Sequence, residues 1–371
     1  MKVSDVIQLL EQLAPPAYAE DFDNVGLLVG DKNAKIEGIL VTLDTLESVV
    51  EEAIDNECNL IVSFHPIIFK GLKRLNGSSY VDRVVMQAIK NDIAIYAIHT
   101  ALDNADKGVN SIICDVLGLK DKKILIPQKQ TIKKLTTYVP HSDAEKLRSV
   151  LFEVGAGSIG NYDQCSFNSQ GIGTYRGNDD SNPTKGLKGQ QHHEPETMVS
   201  VTYPKHVERA LLETLFETHP YEEVAYEIVS LENTNQSIGM GMIGQLPEAM
   251  PVQVFLNFVK EKMNASIIRH SALVKKSVQK VAVLGGSGSF AIPAAIAAGA
   301  DVLMTADLKY HDFFSADGHI VLADIGHYES EQFTKNFLVD YLSKKIINFA
   351  PALSTGRVIL STTETNPVKY L

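Results

Sequence analysis

The sequence predicts an α/β fold in which one α/β domain is interrupted by a smaller domain of different strand order. Both ends of the chain alternate short apolar runs with helical patterns, whereas the middle has the order β-α-β-β-α-β. Polar, turn-rich sequence bounds the middle part near residues 127–130 and 233–237. We therefore expect a discontinuous domain of residues 1–128 and 234–371, with an inserted domain at residues 129–233.

The discontinuous domain is predicted from runs of apolar residues that are long enough for strands. In the first segment the strands are expected at 38–43, 60–64 and 93–98, and the helices at 47–54, 80–90 and 109–117. In the last segment the strands are expected at 280–284, 301–304, 320–323 and 357–362, and the helices at 292–300 and 330–343. Continuous apolar strands are typical of sheets that are buried on both faces, so we expect mixed sheets covered by helices.

The middle segment has strand patterns of a different kind. We expect a strand at 134–139, a helix at 143–154, two or three strands near 165–167, 173–176 and 198–202, a helix at 205–218 and a strand at 225–229. This is the split-βαβ order. Residues 177–191, rich in Gly, Asn and Asp, are expected to form a loop within it.

Charge and cysteine content exclude several classes of protein. The formal net charge is −11, which argues against nucleic acid as the main partner because such proteins need a concentrated basic surface. No apolar run reaches 18 residues, so no membrane span is expected. The three cysteines are far apart in sequence, which makes a thiolate zinc site improbable and is typical of a reducing compartment, so we expect a cytoplasmic protein.

Three segments carry residues that can bind metal, and each follows a predicted strand, where α/β folds place their sites. In the first, His65 ends a strand and Pro66 stops it; taken alone, such a histidine is more often structural. In the second, His99 and Asp103 supply an imidazole and a carboxylate, although Asp103 is also a candidate helix cap.

In the third segment, His327 and Glu331 are four residues apart and share one face of a predicted helix. This spacing suits a pair of metal ligands, and an ordinary capped helix start is the competing interpretation. Asp307, Lys309 and His311 follow another predicted strand and are candidate catalytic residues, with a solvated helix start as the alternative. The glycine turn at 285–288 could offer backbone amides to an anion, but it matches neither a dinucleotide-binding nor a P-loop pattern.

Taken together, these segments resemble the Nif-three (NGG-interacting factor three-like) dinuclear metal-centre family, also called GTP cyclohydrolase I type 2 homologues. The matching motifs lie in both outer segments and occur in order: DNVGLLVG (23–30), SFHPIIF (63–69), IHTALD (98–103), GMGMIGQL (239–246), GGSGS (285–289), ADLKYHD (306–312) and GHYESE (326–331). The middle, with GAGSIGNYDQCSF (155–167) and HPYEEVAYEI (219–228), resembles the PII/CutA-like, ferredoxin-like insert of the longer bacterial members.

The resemblance implies a two-lobed α/β metal-binding domain that holds two divalent ions, with zinc first and iron or manganese as alternatives. It implies His65, Asp103, His327 and Glu331 as ligands, with Glu331 bridging. The family often has a second histidine where this chain has Phe64, so we expect one firm and one weaker metal position, with His99 as a possible additional ligand.

The resemblance also implies an activity and an assembly. We expect a metal-dependent hydrolase that acts on a nucleotide-like substrate, as in the opening of a purine ring or the cleavage of a phosphoester. The competing expectation is a non-enzymatic, metal-dependent regulatory or assembly protein whose insert senses a ligand. Homo-oligomers, in particular hexamers, are expected in either case.

Overall fold

The computed structural model describes residues 1–349 and 357–371, and the side chains of all of these except 348 and 349. The chain divides into two compact units. The outer unit consists of Met1–Pro127 and Gln236–Leu371, and the middle unit of Gln128–Asn235. The α/β fold class predicted from the sequence is confirmed.

The first sheet of the outer unit contains strands from both ends of the chain. Its strands are β1 (Gly26–Val29), β2 (Ile39–Thr42), β3 (Leu60–Ser63), β4 (Ala94–Ala97) and β15 (Val358–Leu360), in the order β1-β4-β3-β2-β15. All neighbouring pairs are parallel except β1 with β4. Because β15 pairs with β2, the end of the chain completes a sheet that its beginning starts.

The second sheet of the outer unit is mixed. Its strands are β5 (Lys120–Pro127), β10 (Gly239–Pro251), β11 (Arg269–His270), β12 (Ser277–Ser287), β13 (Val302–Ala306) and β14 (Val321–Asp324), in the order β11-β14-β13-β12-β10-β5. The central strands β12, β13 and β14 are parallel, and the flanking pairs are antiparallel.

Helices cover both sheets. They are α1 (Val3–Leu13), α2 (Glu47–Asp55), α3 (Tyr80–Lys90), α4 (His99–Asp103), α5 (Val109–Val116), α8 (Val252–Lys262), α9 (Ile292–Ala297), α10 (His327–Glu331) and α11 (Thr334–Phe349). Side chains that alternate along a strand enter different cores, as the period of two requires. Val62 enters a core shared by both sheets, whereas Ile61 packs with residues of α2 and α3. Burial on both faces explains why these strands are apolar throughout.

The middle unit has a four-stranded antiparallel sheet with two helices on one face. Its strands are β6 (Ile132–Pro140), β7 (Phe167–Tyr175), β8 (His192–Pro204) and β9 (Tyr226–Ser230), in the order β7-β8-β6-β9. Leu135 and Val199 pack with Leu147 of α6 (Ala144–Glu153) and Leu211 of α7 (Glu208–Thr218). Of the two or three strands expected between the helices, the structure has two. The segments near 165–167 and at 173–176 belong to the single strand β7, whose glycines and polar residues hid its continuity.

The elements of the outer unit that are absent from the sequence prediction include β5, β10 and α8. Strand β10 begins with two glycines and contains Pro247, both of which are depleted in strands. Its register against β12 shifts between Gln245 and Met250, which accommodates the irregular sequence. Within the described ranges, no helix combines the length and apolar character that crossing a bilayer requires.

Candidate metal centre

Ligand-bearing residues from opposite ends of the chain meet in the outer unit. His65 follows β3, and His99 and Asp103 begin and end the short helix α4 directly after β4. His327 and Glu331 are the first and last residues of α10, which follows β14. Each segment therefore lies where a parallel strand ends, and the two sheets bring these ends together.

Three side chains converge on a common point. The Nε2 atoms of His65 and His327 lie 3.4 Å apart. Glu331 Oε2 lies 3.1 Å from Nε2 of His65 and 3.2 Å from Nε2 of His327. Potential ligand atoms of these three residues lie within 4.8 Å of one another, and no other such group of three or more occurs among the residues described.

Each histidine of the site is oriented by an aspartate. His65 Nδ1 lies 2.9 Å from Asp44, and His327 Nδ1 lies 2.7 Å from Asp307. A carboxylate at Nδ1 fixes the ring and directs Nε2 towards the centre, which is the usual arrangement of metal-binding histidines.

His99 has the same kind of partner, because its Nδ1 lies 2.8 Å from Asp23. Asp23 also accepts hydrogen bonds from the backbone N–H and hydroxyl of Thr100, at 3.0 and 2.5 Å. The ring of His99 packs edge-on against that of His65, with centroids 5.2 Å apart. Phe64 is fully buried and packs against both imidazoles, so it contributes to their packing and belongs to the core.

Two buried carboxylate oxygens of the site lack partners. Asp103 Oδ1 has no hydrogen bond among the described residues, and Glu331 Oε2 has no contact with hydrogen-bond geometry despite its two close imidazoles. Buried polar atoms are normally paired, and an ion is one of the few physical reasons for an exception. The Glu331 oxygen and the two Nε2 atoms form a donor set of carboxylate and imidazole that fits zinc, iron or manganese. Asp103 lines the same cavity but does not belong to this group of three.

When no metal ion is bound, the imidazoles and carboxylates of the site favour the binding of protons. Burial lowers the pKa of His65, but Asp44 and Glu331 outweigh it and raise that pKa to about 9. Burial likewise opposes protonation of His327, whereas Asp307 and Glu331 raise its pKa to about 11. Burial and then the charge of Glu331 hold the pKa of Asp103 well above its usual range. The imidazoles thus carry positive charge that a metal ion would replace.

The glycines at the end of β12 allow the backbone to approach Glu331 closely. Gly286 has φ +68°, and a Cβ there would lie 2.6 Å from Glu331 Oε1. The turn also uses its amides internally, because Gly285 N–H donates to Asn110 and Gly286 N–H to Ser330. These two amides are therefore not free to bind an anion.

Of the three candidate catalytic residues, only Asp307 has a described contact with this cluster. Asp307 contacts His327 and accepts a hydrogen bond from Ser287 at 2.5 Å. The His327 contact lowers the pKa of Asp307 to about 2, so it is an ionised acceptor at neutral pH. His311 lies on the exposed turn Tyr310–Ala316, where its ring packs against aromatic neighbours, and Lys309 is exposed beside it.

A small cavity opens onto the cluster. It has a volume of about 190 Å³, and its lining includes His99, Asp103, His327 and Glu331. Phe22 and Phe290 also line the cavity and are 65% and 55% exposed. Two aromatic rings at the rim of the cavity are therefore accessible to solvent.

Comparisons with known proteins show the family of this chain. The family model described as Duf34/NIF3 (NGG1p interacting factor 3) matches residues 1–367. The chain belongs to the DUF34/NIF3 family. Its relatives include the Bacillus subtilis protein named GTP cyclohydrolase 1 type 2 homolog, which is 38% identical over 99% of this chain and 98% of that protein. A protein of the same name from Halalkalibacterium halodurans is 35% identical over the full length of both.

Solved structures of DUF34/NIF3 relatives extend the agreement to the fold. The crystal structure of a Bacillus cereus protein related to NIF3 has a TM-score of 0.83 and 34% identity, covering 100% of this chain and 99% of that one. A Staphylococcus aureus protein has a TM-score of 0.76 and 29% identity, with the same coverage. The family resemblance inferred from the sequence motifs is thereby confirmed.

The sequence motifs included Asp23 only as part of a turn and did not single out Asp44. Asp44 follows β2, which is one strand away from the strand that carries His65, so no local pattern connects the two residues. Asp23 lies in the DNVGLLVG motif, and a carboxylate just before a strand was the available signal.

Proposed function

We propose that this protein binds two divalent metal ions at His65, Asp103, His327 and Glu331, and that it is a metal-dependent hydrolase of nucleotide-like substrates. The observation that carries the proposal is the convergence of two carboxylate-oriented imidazoles on Glu331, beside a buried, unpaired oxygen of Asp103. Two such ions supply Lewis acidity and a water molecule of lowered pKa.

The protein's own residues have distinct tasks in this proposal. Glu331, which lies between the two imidazoles, would hold both ions, and Asp103 of α4 would hold one of them. Asp44 and Asp307 act through the histidines as positioning residues. Phe64 supplies no ligand, so the two positions are unequal, and His99 is the residue that can support the weaker one.

The substrate class follows from the rim of the cavity. Phe22 and Phe290 are both exposed and line the cavity at the cluster, and aromatic rings of this kind stack on planar bases. Their position allows a flat heterocycle to be held at the rim while its reacting bond reaches the metal centre.

The test combines metal analysis with an activity screen. Protein purified without added metal is analysed for metal content, then loaded with zinc, iron or manganese and incubated with a panel of nucleotides. We expect turnover in the wild type and its loss in His327→Ala, with His319→Ala as control because that histidine is exposed. Unchanged activity in His327→Ala would refute the site, and two equally tight ions per chain would refute the asymmetry. Loss of turnover in His311→Ala with metal retained would identify a catalytic residue.

A non-enzymatic regulatory role is the second candidate, and a cavity in the middle unit favours it. In this alternative the middle unit is a ferredoxin-like ligand sensor inserted at residues 129–233. A ligand bound tightly without turnover, by protein whose metal centre is filled, would support this function over hydrolysis.

We also propose that the protein forms a homo-hexamer. Support comes from the family resemblance and from exposed apolar side chains such as Phe69, Leu72 and Leu75, which neighbour one another in sequence. Light scattering is expected to give about six times the chain mass of 40.7 kDa. A monomeric mass at micromolar concentration would refute the assembly.

A further inference from the structure

The middle unit contains a cavity of about 670 Å³, more than three times the volume at the metal centre. Its floor is the sheet face opposite α6 and α7. Val199 on β8 points to the helices, whereas its neighbour Met198 and the paired Tyr138 line the cavity. The walls come from residues 175–184 after β7 and residues 221–223 after α7. Cavities of this size commonly hold small molecules.

A buried carboxylate lies in this cavity without a cationic partner. Glu196 on β8 is only 7% exposed, and its Oε1 accepts a hydrogen bond of 2.7 Å from the hydroxyl of Tyr221. Among the residues described, no lysine, arginine or histidine lies within ion-pair distance of Glu196. A buried ionised carboxylate is costly unless it is paired, so the site favours a ligand that brings positive charge.

Tyrosine rings surround the carboxylate. Tyr138, Tyr175 and Tyr221 line the cavity, and the rings of Tyr175 and Tyr221 meet near a right angle with centroids 5.9 Å apart. Burial and the hydrogen bond to Glu196 raise the pKa of Tyr221, so its hydroxyl remains a donor. Aromatic faces of this kind attract cations and flat ring systems.

The charges at the mouth of the cavity agree with this preference. Glu222 and Glu223 line the cavity together with Glu196, and Arg176 is the single basic residue of the described lining. The acidic balance disfavours anionic ligands. A bare metal ion is also a poor fit, because Glu196 is not part of any group of three metal-binding side chains within the described residues.

Two glycines of β7 keep Glu196 accessible. Gly171 pairs with Glu196 across the strands, and a Cβ at Gly171 would meet no atom within 4 Å. At Gly173 a Cβ would collide with Glu196 Oε2, so any larger residue there would displace the carboxylate. Gly171 also lines the cavity, so a side chain added there would occupy space next to the residue that carries the carboxylate.

From these observations we propose that the cavity of the middle unit binds a small, flat organic cation. Its amidinium or ammonium group pairs with Glu196, and its ring lies among the three tyrosines. This site is separate from the metal centre, and its occupancy does not depend on whether the protein is a hydrolase.

Binding of benzamidine to the full-length protein tests the proposal, with neutral benzamide and anionic benzoate as matched ligands of the same shape. Isothermal titration calorimetry is expected to give saturable benzamidine binding, with Kd on the order of 1 mM for a fragment of this size. Glu196→Gln keeps an acceptor for Tyr221 but removes the charge, and should weaken binding at least tenfold. Gly171→Val should block the same position by volume, since a β-branched residue suits a strand.

The matched control is Glu217→Gln, which removes an exposed carboxylate from α7, on the other side of the sheet. It should bind benzamidine as the wild type does, and thermal unfolding verifies that all three variants fold. Absence of saturable benzamidine binding would overturn the proposal. So would equal affinity for benzamide, or wild-type affinity in both Glu196→Gln and Gly171→Val.

Discussion

Filling of the metal centre is expected to release about two protons per chain at pH 7.5, because both imidazoles of the site are protonated before a cation enters. The pKa of His65 is raised to about 9 and that of His327 to about 11. At pH 7.5 each ring is then more than about 95% protonated, whereas an unperturbed histidine would be about 10% protonated. The structure thus predicts roughly ten times more proton release than two ordinary histidines would give. Any proton carried by Asp103 adds to this number.

The sign of the pH dependence follows from the same values. Protons compete with the metal for Nε2, so the apparent metal affinity rises with pH. The rise is steepest below about pH 9, where both rings still carry protons, and it becomes shallower above the pKa of His65. Stability of the metal-free protein changes in the opposite sense. The favourable contacts of the protonated rings are fully present below the unfolded pKa of about 6.5, and are lost as pH rises through the raised folded values.

Calorimetric titration of metal-free protein with zinc, in two buffers of different ionisation enthalpy, counts the released protons. Asp307→Asn serves as the informative variant, because it leaves every proposed ligand in place and removes the first cause that raises the pKa of His327. Its proton release should fall by up to one, and His319→Ala should behave as the wild type. Release of fewer than about 0.5 protons by the wild type would show that the imidazoles are not held as described.

Three further predictions concern other residues of the outer unit. Asp44→Asn should weaken metal affinity about 10- to 100-fold in a competition titration against a chelating dye, since Asp44 fixes the tautomer of His65; affinity within twofold of the wild type would contradict this. Gly286→Ala should abolish stoichiometric metal binding by displacing Glu331, whereas Gly318→Ala, which has a similar φ of +71° and open space, should bind metal normally. Glu52→Gln removes a carboxylate with a pKa lowered to about 2 that accepts five hydrogen bonds from residues 361–363. Because Glu52 is half-buried and solvent screens part of these contacts, we expect a loss of about 1 to 2 kcal/mol in urea unfolding at pH 7. The difference from wild type should disappear as pH falls from about 4.5 to 2, and a difference independent of pH would contradict the assignment.

The parts of the fold that the sequence predicted well are those with one dominant physical signal. The strands β2, β3 and β4 are buried on both faces, and their uninterrupted apolar runs have few other interpretations. The β-α-β-β-α-β order of the middle segment was also predicted, because its strands carry apolar residues on the side that faces the helices. Strand β10 was not predicted, because its glycine-containing sequence does not favour a strand. Its extended conformation depends instead on pairing with β5 and β12.

In the candidate site, too, some residues were predicted from local patterns and others depend on tertiary contacts. His65, Asp103, His327 and Glu331 stood out because imidazoles and carboxylates directly after strands are conspicuous, and the ordered family motifs joined them. The orienting role of Asp44 depends on a contact between two neighbouring strands, which no local spacing encodes. Likewise, the sequence suggested amides for an anion at the glycine turn, but their use by Asn110 and Ser330 is a matter of tertiary contacts.

The distance in sequence between the two halves of the site has a consequence for biosynthesis. His65 and His327 are separated by 262 residues, which at about 5 to 20 residues per second corresponds to roughly 13 to 52 s of translation. During that interval the nascent chain comes to contain His65, His99 and Asp103 but does not yet contain Glu331. The first sheet also lacks β15. A metal ion captured in this period would have only part of its coordination shell. We therefore expect metal to be incorporated after the chain leaves the ribosome, when the last strand has closed the sheet.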